Sequence, residues 1–125
     1  MGLFNRRSGG IPSNWILLNE LEQLDGIVKA SYDKPQIIFK DSTSCGISAR
    51  AKAGLQEDWT PLEDQADLHY LDLLSYRNIS NEVATFTGVV HQSPQVIIYH
   101  NGKVVADTSH HNISVRYIQG VLDQL

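Results

Sequence analysis

The chain is poor in cysteine: one, Cys45, in 125 residues. A single thiol excludes an intramolecular disulfide and a zinc site of the Cys-x-x-Cys kind. Long apolar runs are missing as well, and none approaches the roughly 20 residues that a membrane helix requires. Strong positive charge is absent. The formal net charge is −4, which argues against nucleic acid or an anionic membrane as the main partner. No internal repeat is visible, and the Gly-x-Ser-x-Gly signature of many serine hydrolases does not occur. The opening "MGLFNRRSGGIPSN" has two arginines but no long apolar segment behind them, so it does not read as a signal peptide. Arg6 stands where a myristoylation signal requires Ser or Thr. Residues 1–14 are therefore expected to be a flexible tail, and residues 15–125 one compact domain. A reducing cytoplasm is the expected location. The Asn-x-Ser triplets at Asn78 and Asn112 are then chance occurrences.

What is present is a regular alternation of short apolar runs and amphipathic stretches. Apolar residues make up 42% of the chain, enough for a hydrophobic core. Trp15 to Leu18 reads as a short strand, and Asn19 as the cap of a helix carrying Leu21, Leu24, Ile27 and Val28 on one face. Gly26 weakens that helix, and "SYDKP" closes it, because Pro35 cannot continue a helical hydrogen-bond ladder. "QIIFK", Gln36 to Lys40, is short and β-branched, and predicts a buried strand. Ile47, Ala51, Leu55 and Trp59 recur every four residues and predict an amphipathic helix, with Ser44 or Thr43 as its cap. Leu68 to Leu74 is the next strand, and Asn78 to Val89 a helix ended by Gly88. Asn101-Gly102 between two β-rich runs is the preferred composition of a type I′ hairpin turn. Ile118, Val121, Leu122 and Leu125 define a last helical face. Strand-helix-strand units favour parallel pairing with right-handed crossovers, and the hairpin adds antiparallel strands. The expected fold is α/β, a central mixed sheet of four to five strands with helices on both faces.

Cys45 falls where a buried strand ends and a helix begins. Sites in open α/β sheets form at the carboxyl ends of strands. A helix start also offers unpaired N–H groups and positive potential, which favour a thiolate over a thiol. Lys40 adds positive charge at the strand end, and Asp41 offsets part of it. Free cysteine is often a small buried hydrophobe, but Ser, Thr and Gly neighbours are an unsuitable lining for an apolar pocket. Cys45 is therefore the candidate reactive group. Pro94, after Ser93, precedes the hairpin's first strand. On the residues alone it is an ordinary trans proline at an edge, since cis bonds account for about one X–Pro case in twenty. His91, His110 and His111 fall in loops near the expected site. No pair has the i, i+4 spacing of a strong metal motif, so they read as exposed loop histidines.

A strand, a cysteine at a helix start and a proline before a hairpin together resemble the thioredoxin fold. The stretches "FKDSTSCGIS", "GVVHQSPQVIIYHNGK" and "TSHHNIS" resemble, in that order, motifs of the monothiol bacilliredoxins. The resemblance covers Trp15 to the C-terminus. It implies that Cys45 is the nucleophile and that Pro94 is a cis-proline packed opposite it. It also implies that the backbone at Ser93 pairs with the bound thiol or peptide. Ser48 matches the family's motif serine and His110 its histidine near the site. With Lys40 these are the candidate substrate-binding residues. Gly46 stands where the family often has proline, and Asp41 where it often has histidine.

The implied activity is thiol–disulfide exchange by a monothiol route: removal of a small thiol from S-thiolated client proteins. Bacillithiol is the expected co-substrate, no cofactor is tightly bound, and the chain acts as a monomer without nucleic acid or membrane. "CGIS" is also similar to the "CGFS" of monothiol glutaredoxins, which bind glutathione and iron–sulphur clusters. The Gly-Gly-x-Asp segment of those proteins has no counterpart in "VVADTSHHNIS". A redox-inactive binding module of the same fold is the third possibility.

Overall fold

The computed structural model describes residues 11–125. Residues 1–10 of the expected tail lie outside the described residues. Of the remaining four, Ile11 packs against the hydrophobic core and the Pro12 carbonyl accepts the Trp15 N–H at 3.0 Å.

Five strands form one sheet in the order β1-β3-β2-β4-β5. They are β1 (Ile16–Leu17), β2 (Gln36–Asp41), β3 (Asp67–Asp72), β4 (Gln95–His100) and β5 (Lys103–Ser109). β1 and β2 both run parallel to β3, whereas β4 is antiparallel to β2 and β5 antiparallel to β4. The helices are α1 (Gln23–Ala30), α2 (Gly46–Glu57), α3 (Arg77–Thr87) and α4 (Val115–Leu122).

Side-chain alternation along the strands makes two cores, one on each face. Ile37 and Phe39 of β2, Leu68 and Tyr70 of β3, and Val96 and Ile98 of β4 point to the layer of α2 and α4. Ile38, Leu71, Ile97 and Tyr99 point to the layer of α1 and α3. The first core is built on aromatic rings. Trp15 stacks on Tyr70 at 6.0 Å and meets Phe39 and Trp59 edge-on at 6.0 and 5.9 Å. Such geometries satisfy the ring quadrupoles.

The hairpin follows its sequence signal. Asn101 and Gly102 have φ of 54° and 80°, the left-handed pair that a type I′ turn demands. A Cβ at Gly102 would also meet the hydroxyl end of Tyr32, but that side chain is exposed and can turn away, so the backbone conformation is what calls for glycine. Ser31 ties the turn to the end of α1: its carbonyl accepts the Asn101 N–H and its hydroxyl the Gly102 N–H, both at 2.9 Å. Farther along, Ile98 faces Ala106 while Tyr99 faces Val104, so β5 bulges at Val105.

Some boundaries differ from the sequence reading. Asn19 does not cap α1, which starts four residues later. The Gln23 side chain instead accepts the N–H groups of Asn19 and Glu20 at 2.9 Å each. Leu21 thus precedes the helix and stays exposed. α2 ends at Glu57, and Trp59 is buried from the bend that leads into a short 3-10 turn at Thr60–Leu62. Leu125 lies beyond α4 and is exposed. Gly88 ends α3 in the left-handed conformation, φ 73°, as its position predicts. Among the described residues no helix is long and apolar enough to cross a membrane.

Candidate active site at the start of helix α2

β2 runs out of the sheet at Asp41, and four residues carry the chain into α2. The Cys45 N–H returns to the Ser42 carbonyl at 2.9 Å, closing a tight turn. The Ser48 hydroxyl accepts the Ser42 N–H, also at 2.9 Å. Cys45 has an extended backbone, φ −107° and ψ 128°, and its carbonyl accepts the first helical bond from Ala49. Cys45 itself therefore occupies the cap position, in place of Ser44 or Thr43. No side-chain oxygen caps the helix and no acidic residue sits in its first turn. The N–H groups of that turn remain open beside a partly exposed thiol.

Beneath the turn, on the same face of the sheet, lies a buried polar pair. The Tyr70 hydroxyl donates to Asp41 Oδ2, while Asp41 Oδ1 is buried without a partner. Burial pushes the Asp41 carboxyl above its usual range; Tyr70, Lys52 and Ser48 pull the other way. Lys52 also stands over the Tyr70 ring, 5.2 Å from its centre. The phenol is held above its ordinary value, by burial first and then by the bond to Asp41.

Lys40 and Gln95 are the last paired residues of β2 and β4. The next antiparallel positions bring Pro94 opposite Asp41, at the base of the cysteine turn. The Ser93–Pro94 peptide is cis. The residues alone predicted trans, and the family resemblance predicted cis; a cis geometry at an X–Pro bond is a choice of tertiary context. On its other side, the Pro94 carbonyl accepts the His110 N–H at 3.1 Å. His110 adopts φ 55° and opens a 3-10 turn, His110–Asn112, that contacts α2. Ser93 Oγ is buried without a partner.

The candidate residues are thus divided. Pro94 and His110 are hydrogen-bonded to each other at the end of the sheet where the Cys45 turn leaves β2, with Ser93 in the proline loop. Ser48 is wholly buried and holds the cysteine turn through Ser42. Lys40, also wholly buried, points to the opposite face, where its Nζ lies 3.1 Å from His91 Nδ1. Burial lowers the Lys40 ammonium to about 8. His91 is lowered too, first by burial and then by Lys40 and Arg77. Among the described residues no three His, Cys, Asp or Glu side chains gather into a metal-binding group.

Residues missed in the sequence are Arg50, which lines a cavity with Cys45 and with His111, a histidine expected near the site but given no part in it, and Tyr70, which anchors Asp41. Arg50 was within reach of a sequence argument, because it follows Gly46 by four residues and so shares its side of the helix. Nothing local marks Tyr70, which meets Asp41 only through the β2–β3 pairing.

The sequence model of the monothiol bacilliredoxin family, BrxC, matches residues 16–118. The chain belongs to the monothiol bacilliredoxin family. Among solved structures, a protein assigned as an oxidoreductase with a thioredoxin fold is 28% identical, with a TM-score of 0.74 over 86% of this chain and 93% of that one. The thioredoxins of Trypanosoma brucei brucei and Malassezia sympodialis superpose with a TM-score of 0.69 each. They are 18% and 16% identical, covering 94% and 92% of this chain and 94% of each thioredoxin. At that identity they speak for the fold. The thioredoxin-like fold is thereby established, and bacilliredoxin membership supports a thiol redox role.

Proposed function

We propose that this bacilliredoxin-family protein is a monothiol oxidoreductase that removes a small thiol, bacillithiol, from S-thiolated proteins. The observation that carries the reading is the position of Cys45. It is the sole cysteine of the chain, partly exposed, at an uncapped helix start with a cavity beside it. The Cys45 thiolate attacks the small-thiol sulfur of the mixed disulfide. That S–S bond breaks, the client leaves as a thiolate and takes up a proton, and a Cys45–small-thiol disulfide forms. A second small-thiol molecule or a separate reductase then attacks that disulfide, since this chain has no resolving cysteine. Open N–H groups at the start of α2 are free to donate to the bound substrate. Ser93 offers its backbone to the bound thiol or peptide, with Pro94 shaping the surface and His110 at its rim. Ser48 and Lys40 act on the substrate through the cysteine turn and the proline loop that they hold. The cytoplasm is the proposed setting.

The test is intact-protein mass spectrometry after incubation with bacillithiol disulfide and with an S-bacillithiolated client. The expected result is one bacillithiol added per chain and release of reduced client, both lost in Cys45→Ser. A wild type that gains no mass and releases no client sinks the reading.

A further inference from the structure

Two cavities flank the first turns of α2 on the side of the His110–Asn112 turn. One, of about 470 Å³, is lined by Cys45, Gly46, Ile47, Arg50 and His111. The other, of about 200 Å³, is lined by Ile47, Arg50, Ala51, His110, His111 and Ile113. They share Ile47, Arg50 and His111, and so make one continuous depression that starts at the thiol. Its charged and polar side chains, apart from the thiol, are a guanidinium and two imidazoles. No carboxylate lines it, although the chain as a whole has a net charge of −4. Arg50 is exposed, and among the described residues no carboxylate lies within ion-pair distance of it. The first turn of α2 carries no acidic residue either.

Geometry fits a short ligand tethered at one end. Arg50 is five residues beyond Cys45 on the helix, a rise of about 7.5 Å. That is the span of about two residues of extended chain. A small thiol bonded to Cys45 through sulfur reaches Arg50 with its far end while its middle crosses Ile47. Guanidinium presents a planar fork of donors that matches a carboxylate. His110 is fixed at the far wall by the bond from its N–H to the Pro94 carbonyl.

We propose that the depression formed by Arg50, His110 and His111 seats the carboxylate end of the small thiol, so that the favoured disulfide substrates are anionic. The proposal rests on the reading of Cys45 as acceptor of a small thiol and adds its charge class and seat. The chemical step is disulfide exchange alone. Cys45 sulfur bonds to one sulfur of the substrate, the substrate S–S bond breaks, and the other half leaves as thiolate.

The experiment measures the rate of Cys45 adduct formation by quenched mass spectrometry with three symmetrical disulfides. Oxidised glutathione is anionic, hydroxyethyl disulfide neutral and cystamine cationic. Wild type is expected to prefer oxidised glutathione to cystamine, with the preference shrinking as salt is raised. Arg50→Glu is expected to slow oxidised glutathione about tenfold, to accelerate cystamine, and to leave hydroxyethyl disulfide within about twofold. Arg50→Lys is expected to retain most of the preference. If Arg50→Glu slows all three alike, or none, the anion seat is overturned. A wild type that reacts with all three without regard to charge overturns it as well, while Cys45 stands as nucleophile. A wild type that reacts with none removes the underlying reading of Cys45 and the seat with it.

Discussion

The Lys40 ammonium lies 3.1 Å from His91 Nδ1, so a wholly buried lysine of the central strand holds the loop that leads to cis-Pro94. Gln95 holds the same loop a second time, donating to the Val90 carbonyl at 3.0 Å. Burial lowers Lys40 from 10.5 to about 8. Between those values the unfolded chain carries a proton that the folded chain lacks, so stability rises with pH through that window. Below about 8 the cost of the buried charge is present in full. Lys40→Met is expected to stabilise the fold by about 1 kcal/mol at pH 7. The gain should vanish by pH 10.5. Denaturant unfolding of both proteins across pH 7 to 10.5 checks this, and a difference independent of pH contradicts it.

At the opposite end of the sheet, His69 Nε2 meets the Gln36 amide oxygen at 2.7 Å, while its Nδ1 is buried without a partner. Burial lowers His69 from 6.5 to about 4. The unfolded chain therefore binds a proton between those values that the folded one refuses. Stability attributable to His69 is intact above pH 6.5 and falls as pH drops toward 4. The loss is on the order of 3 kcal/mol at its limit. His69→Gln should flatten the acid limb of the stability curve, as read by thermal unfolding between pH 7 and 4.

Tyr70→Phe removes the donor to Asp41 and keeps the ring in its stack with Trp15. The carboxylate is then buried with neither oxygen served by the phenol, a loss of about 1–3 kcal/mol at neutral pH. Asp41 should be pushed further above its usual range. The deficit should narrow in acid, where Asp41 is protonated and its burial is less costly. Paired urea titrations at pH 7 and pH 4 give the comparison, and equal deficits at both would contradict it.

Gly46→Pro is expected to be tolerated or stabilising. Gly46 is the first helical residue, its N–H lies outside the intrahelical ladder, and a Cβ there meets nothing within 4 Å. Proline at such a position restricts the unfolded chain and raises stability by about 0.4–1 kcal/mol. The glycine is thus not demanded by packing. A melting temperature clearly below that of wild type would show a constraint at Gly46 that the fold does not reveal.

The layer order and the cysteine turn were legible because each depends on local pattern. The β-branched run of β2, the four-residue repeat of α2 and the Asn101-Gly102 turn leave little choice of conformation. Cys45 could be singled out because strand end and helix start are both readable. What escaped was set by neighbours distant in sequence. Lys40 was placed at the thiol by proximity along the chain, yet strand alternation turns it to the other face from Phe39 and Asp41. His91 was read as an exposed loop residue, and that residue does remain exposed. Its contact with Lys40, though, depends on where the proline loop folds back on β2. The cis state of Pro94 had no local signal, and only the likeness of whole motifs anticipated it.

The bulge at Val105 has a consequence for the far end of β5. It sets how many residues separate the tight turn at Asn101-Gly102 from the strand's last rung. With that count, the N–H that reaches the Pro94 carbonyl belongs to His110. In an unbroken register without the bulge, Val105 would face Ile98 and Ser109 would take the rung that His110 holds. The extra residue is in effect a spacer in a measuring rod, and it decides that an imidazole, and not a serine hydroxyl, stands beside the proline.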